Sequence, residues 1–186
     1  AIMNEVSKVI PFQISEMYFT YFIKPETDFY TVLFAAAQRT IIEDYKNVFI
    51  EAGLPLTAID LESLSLGRSL LDFKNMKETS MIVNVGRKRT YMSVFQKTGM
   101  MIFSASIPIL VEEYTKISDE IKKIFSYCEK YWGDKIANMI LTGETALIPS
   151  ISEFFSKEVG IPTFILDPWT SIQWAKPVTS EQAHVL

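Results

Sequence analysis

The sequence predicts an α/β protein in two parts: a small α/β unit at the N-terminus and a larger one built on a β-meander followed by alternating helix and strand. Three observations carry this. Two strand-like runs near the start, Met17 to Ile23 and Phe29 to Ala37, are separated by the turn-forming segment KPETD. A cluster of three strand signals follows in the middle of the chain, and the last third alternates helical and strand periods.

Taken in order, Ala1 to Ile10 reads as the end of a helix with Ile2, Val6, Val9 and Ile10 on one side, stopped by Pro11. The two aromatic-rich runs then form a hairpin. From Arg39 to Ala52, Ile41, Ile42, Tyr45, Val48 and Phe49 give an amphipathic helix, which Gly53 ends. Leu56 to Leu61 reads as a short strand and Ser63 to Phe73 as a helix. Ser80 to Val83 reads as a buried strand running into the tight turn Asn84-Val85-Gly86, with Thr90 to Gln96 and Met100 to Ile107 completing a meander around Lys97-Thr98-Gly99. A long helix over Val111 to Trp132, a strand over Ile136 to Leu141, a helix over Pro149 to Val159 and a strand over Thr163 to Leu166 follow. This order marks one lobe of the ribonuclease-H-like, actin-type architecture. The expected divisions are 1–55, 56–175 and a polar tail, 176–186.

Composition narrows the function. The 186 residues are 48% hydrophobic, enough for a core, and no apolar run approaches the roughly 18 residues that span a bilayer. No signal-peptide pattern opens the chain. A net charge of -4 and a pI near 5.1 argue against a nucleic-acid surface, which needs clustered Lys and Arg. The single cysteine, Cys128, excludes an internal disulfide and fits a reducing compartment. It lies on the helical stripe Ile117, Ile121, Ile124, Cys128, Trp132, where a core role outweighs a nucleophilic one. His184 has no sequence partner and is assigned no role.

The segments AGLPLTAIDLESLSLGRSLL, MIVNVGRKRTYMSVFQKTGMMIFSASIPI and MILTGETALIPSISEFFSKEVGIPTFILDPW resemble the PilM family of actin-like type IV pilus assembly proteins, related to the cell-division protein FtsA. The resemblance runs from about Ala1 to Trp169. It implies that the first part is the small inserted, SHS2-like subdomain. The remainder then corresponds to the second actin-like lobe, with the first lobe absent before Ala1. It also implies a nucleotide held between two lobes on strand-turn-strand loops of the type Asp-x-Gly. There, glycine lets backbone N–H groups reach phosphate and the carboxylate holds a metal-bound water.

The matching loop here is Asn84-Val85-Gly86 with Thr90 starting the return strand, and no Asp-x-Gly occurs in the chain. Asparagine keeps an oxygen ligand without the negative charge, so magnesium holding weakens; a plain tight turn is the other reading. The family's adenosine loop ends a strand in Gly-Gly-x-x, and this chain has Gly143-Glu144-Thr145, where Glu144 adds bulk and charge beside a polyphosphate. A strand-to-helix loop with Thr145 or Ser150 as a cap is the alternative. The family's helical segment after IPVGG is shortened here, since Ile107-Pro108-Ile109-Leu110 runs almost directly into Glu112 and Glu113.

Three functions are therefore expected, in descending order. The first is a cytoplasmic scaffold, peripheral to the inner membrane and bound to it only indirectly, that captures the cytoplasmic tail of a PilN-like membrane protein. ATP and magnesium would belong to a longer parent rather than to this fragment. Tyr18, Tyr21, Phe22, Phe29 and Val32 are the expected peptide contacts. The second is a working actin-like ATPase using Asn84, Gly86, Thr90, Gly143, Glu144 and Thr145. The third is an FtsA-like module that self-associates into filaments. Asp60 and Glu62, on one face of the expected strand, suggest a salt-bridging or capping pair rather than an acid–base site. The run Arg87 to Arg89 reads as an exposed turn of solvated charge.

Overall fold

The computed structural model describes residues 2–8, 13–86, 88–108 and 113–166, without the side chains of Glu144 and Thr145. The expected tail 176–186, with His184, and residues Pro11, Arg87 and 109–112 lie outside the described residues. The chain divides into two compact units, Ala1–Leu61 and Glu62–Leu186.

In the first unit, α1 (Ile2–Val6) and a 3-10 turn (Ile14–Glu16) precede the hairpin β1 (Met17–Pro25) and β2 (Tyr30–Gln38). The strands pair antiparallel with Tyr21 opposite Phe34 and Ile23 opposite Val32. Helix α2 (Arg39–Glu51) follows without a break and ends where Gly53 takes φ +68°. That left-handed conformation suits a residue with no β-carbon. The α2 helix packs on the Tyr18 side of the hairpin. The Tyr18 hydroxyl donates to Glu43 Oε1 at 2.5 Å and the Arg39 guanidinium lies 4.3 Å over the Tyr18 ring. Among the described residues of this unit, only Val6 and Met17 among the large apolar side chains are buried.

The expected strand over Leu56 to Leu61 is absent: residues 54–61 form no regular structure. Apolar Leu56, Ile59 and Leu61 suit a short strand, but a strand exists only where a ladder partner takes its backbone groups, and among the described residues none does so. The two compact units divide after Leu61.

The second unit opens with α3 (Glu62–Leu70) and is built on a five-stranded sheet. Its strands are β3 (Thr79–Val85), β4 (Thr90–Phe95), β5 (Met101–Ile107), β6 (Ile136–Thr142) and β7 (Thr163–Ile165), in the order β5-β4-β3-β6-β7. β3 to β5 form an antiparallel meander; β6 joins β3 in parallel and β7 joins β6 in parallel. The two parallel crossovers carry α4 (Tyr114–Trp132) and α5 (Ile151–Val159). This is the ribonuclease-H-like arrangement.

Spacing explains the core. Ile117, Ile121, Ile124 and Cys128 recur at helical intervals on α4 and meet Met81, Val83 and Val85 of β3, Met139 and Leu141 of β6, and Phe155 of α5. β3 is central, so its residues read as a continuous buried run except for Asn84. Burial, reinforced by the nearby Asp134 charge, pushes the Cys128 thiol up to about 11, which agrees with a core cysteine. On the other face α3 touches down through Gly67, where a β-carbon would stand 2.5 Å from the Phe95 ring. Gly133, at φ +68°, ends α4 with its N–H donating to the Glu129 carbonyl. Among the described residues no helix is long and apolar enough to cross a membrane.

Candidate functional site

Two of the expected loops meet. Because β3 and β6 are parallel neighbours with Asn84 opposite Thr142, the turn after β3 and the loop after β6 emerge side by side at the carboxyl ends of the strands. In open α/β sheets that is where ligands are taken. Gly143 sits there at φ +86°. A β-carbon on it would collide with Asn84 Oδ1 and stand 2.7 Å from the Val85 carbonyl oxygen. Glycine is therefore required twice, by backbone conformation and by space.

The turn's polar groups are already engaged. Asn84 Nδ2 donates to Glu62 Oε1 at 3.0 Å. The Gly86 N–H, which a phosphate would need, donates to the Arg89 carbonyl at 3.1 Å and closes the turn. Thr90 is fully buried, paired with Val85 on one side and Ile107 on the other. Beyond Gly143 the chain turns through a 3-10 segment, Glu144–Leu147, with the Ala146 N–H donating to the Gly143 carbonyl at 3.0 Å. The side chains of Glu144 and Thr145 lie outside the described residues. Of the six expected loop residues, Asn84 and Gly143 are thus brought into contact, Gly86 serves its own turn and Thr90 is core. Among the described groups, the Asn84 amide nitrogen and the Gly86 N–H are engaged within the chain, and Asn84 and Val85 fill the space beside Gly143. Among the described residues no group of three or more His, Cys, Asp or Glu side chains could hold a metal.

Glu62, expected with Asp60 on a strand as a salt-bridging or capping pair, is instead the first residue of α3, where an acidic side chain suits the helix N-terminus; its contact with Asn84 has no signal in the sequence. Asp60 Oδ1 accepts from the Leu61 N–H at 2.9 Å. Of the basic run, Arg89 donates through Nε to Ser106 Oγ at 2.7 Å and so pins the turn to β5, while Lys88 is exposed. A shallow cavity of about 310 Å³, lined by Asp72, Lys77, Glu78, Ser80 and Asn138, lies at the opposite, Ser80 end of β3.

The hairpin's candidate residues separate by register. Tyr21 and Val32 share one face with Phe19, Ile23, Tyr30 and Phe34, since alternate residues and their partners point the same way. Phe19 and Phe34 stack there with ring centres 5.7 Å apart. Tyr18 and Phe22 belong to the other face, and Phe29 lies in the turn before β2. Tyr18 is engaged with Glu43, whose carboxyl its hydroxyl holds below the usual range, with help from Lys46. The face bearing Tyr21 is open: Phe19 is 43% exposed, Tyr21 48% and Tyr30 72%. Phe19 and Phe34 fall within the two aromatic runs expected to carry the contacts, and two-residue alternation from Tyr21 and Val32 puts both on the same face.

A ribonuclease-H-like lobe with paired turns at its parallel strand ends, preceded by a small α/β unit, defines the actin-like ATPase fold. Within that class the chain belongs to the family of the type IV pilus assembly protein PilM, whose model matches residues 1–106. Its fold is similar to that of a chain in a PilM–PilN type IV pilus biogenesis complex. That match has 13% identity and a TM-score of 0.79 and covers 98% of this chain and 66% of that one, so this chain spans 66% of the relative's length. More distant similarity reaches MreB5 of Spiroplasma citri bound to ADP (13% identity, TM-score 0.48, 71% of this chain and 62% of that one). It also reaches the ethanolamine utilization protein EutJ of Carboxydothermus hydrogenoformans (17%, 0.49, 66% and 54%). No curated protein matches the sequence.

Proposed function

We propose that this chain is a binding module of a type IV pilus or related secretion platform. Its small unit captures the cytoplasmic tail of a PilN-like inner-membrane protein, and nucleotide binding is weak or absent. The observation that carries this reading is the open aromatic face of the hairpin, Phe19, Tyr21, Ile23, Tyr30 and Phe34. Single exposed apolar residues are ordinary, but a contiguous aromatic sheet face is a docking feature. An extended tail laid on it gains side-chain pockets there, and main-chain hydrogen bonds if it pairs with a strand edge. Family membership and the likeness to a chain from a PilM–PilN complex support the choice of partner. The module would sit on the cytoplasmic side and reach the membrane through that partner. Calorimetric titration with the partner's tail peptide tests this. Wild type binds, and Tyr21→Ser loses about tenfold or more in affinity while remaining folded; equal affinity for the two chains removes the hairpin from the interface.

A second reading, an actin-like ATPase whose other lobe lies outside this sequence, is favoured by one observation: the Asn84 and Gly143 turns lie together at the ends of two parallel strands. It predicts that magnesium–ATP raises the melting temperature of a longer parent chain. No shift in that parent rejects it.

A further inference from the structure

We propose that Glu62, Asn84 and Gly143 form a ligand-independent clasp, in which the Glu62 carboxylate serves as a built-in anion for the turn after β3. This rests on the reading above that the module works without nucleotide, and explains how the loop pair holds its shape.

Three elements converge at the clasp. Glu62 begins both α3 and the second unit, Asn84 is the penultimate residue of β3, and Gly143 follows β6. The two ends of the Asn84 side chain face different neighbours. Its nitrogen donates to the Glu62 carboxylate at 3.0 Å, a charge-assisted hydrogen bond. Its oxygen faces Gly143, where only the absence of a β-carbon permits the approach. The parallel register that puts Asn84 opposite Thr142 brings Gly143 to that oxygen. An amide nitrogen donates to that carboxylate without help from an ion. An aspartate would set a second carboxylate 3.0 Å from the first, and like charges that close need a shared proton or a cation between them. Asparagine at 84 is thus what frees the clasp from any ion. Because Glu62 is where the chain enters the second unit, the clasp also fixes that entry point to the sheet.

Thermal melts of the full chain in EDTA at pH 8 test the clasp. Asn84→Asp is expected to melt about 3 °C or more below wild type, and adding Glu62→Gln in the same chain recovers most of that loss. Asn84→Ala and Glu62→Ala each lower the midpoint, and the double variant falls no further than the worse single one, because both remove the same bond. Full-strength stability of Asn84→Asp without metal, or strictly additive alanine effects, overturns the clasp. So does a rise of the wild-type midpoint on adding magnesium–ATP. Tail binding is read separately: Asn84→Ala keeps the peptide affinity of wild type, so loss of the clasp and loss of the docking face are told apart.

Discussion

The two units spend their apolar side chains differently. In the second, Met81, Val83, Val94, Ile117, Ile121, Met139, Leu141 and Phe155 are sealed between one sheet face and two helices. In the first, a hairpin with apolar residues on both faces is backed by one helix, and most of its aromatic rings remain in contact with water. A two-stranded ribbon is marginal by itself. The larger unit is organised around its interior and the smaller one around a surface. On the function proposed above, that contrast puts stability in the lobe and recognition on the hairpin.

Substitutions of rank-ordered effect test the contrast. Phe155→Ala, in the closed core, is expected to cost about 3–5 kcal/mol in urea unfolding; a loss below about 1 kcal/mol would mean that the core of the second unit is looser than described. Gly143→Ala forces a β-carbon into Asn84 Oδ1 at a positive φ, and about 1–3 kcal/mol is expected. Tyr21→Ser, on the open face, should change stability by no more than about 0.5 kcal/mol, and a larger loss would make that face core rather than docking surface.

A pH effect tests the lobe separately. The Cys128 thiol titrates near 11 when folded against an ordinary value of 9.0, so the folded form favours the protonated thiol. Its contribution is fully present below about pH 9 and is lost as pH rises toward 11. Cys128→Ala should flatten that part of the stability–pH curve; an unchanged slope would show that other groups set it.

Most elements were legible because their cause is local. The stripe from Ile117 to Cys128 announces α4, and Gly53 and Gly133 mark helix ends. What was not legible depends on contacts distant in sequence. Leu56 to Leu61 has apolar residues enough for a strand but no ladder partner among the described residues. Glu62 and Asn84 stand 22 residues apart, and nothing in either neighbourhood announces the other. Gly143 was read as part of a ligand loop from its family position, whereas its steric need comes from Asn84 and Val85. On the hairpin, choosing Tyr18 and Phe22 together with Tyr21 and Val32 mixed two faces that the antiparallel register separates.

Hydrogen exchange of the full chain with and without the partner's tail peptide tests the assignment of recognition to the hairpin most directly, because it reads both units in one experiment. The predicted result is slowed exchange across Met17–Gln38 on binding, with β3, β6 and the Asn84 and Gly143 turns unchanged. Protection at those turns, with none across the hairpin, would contradict it.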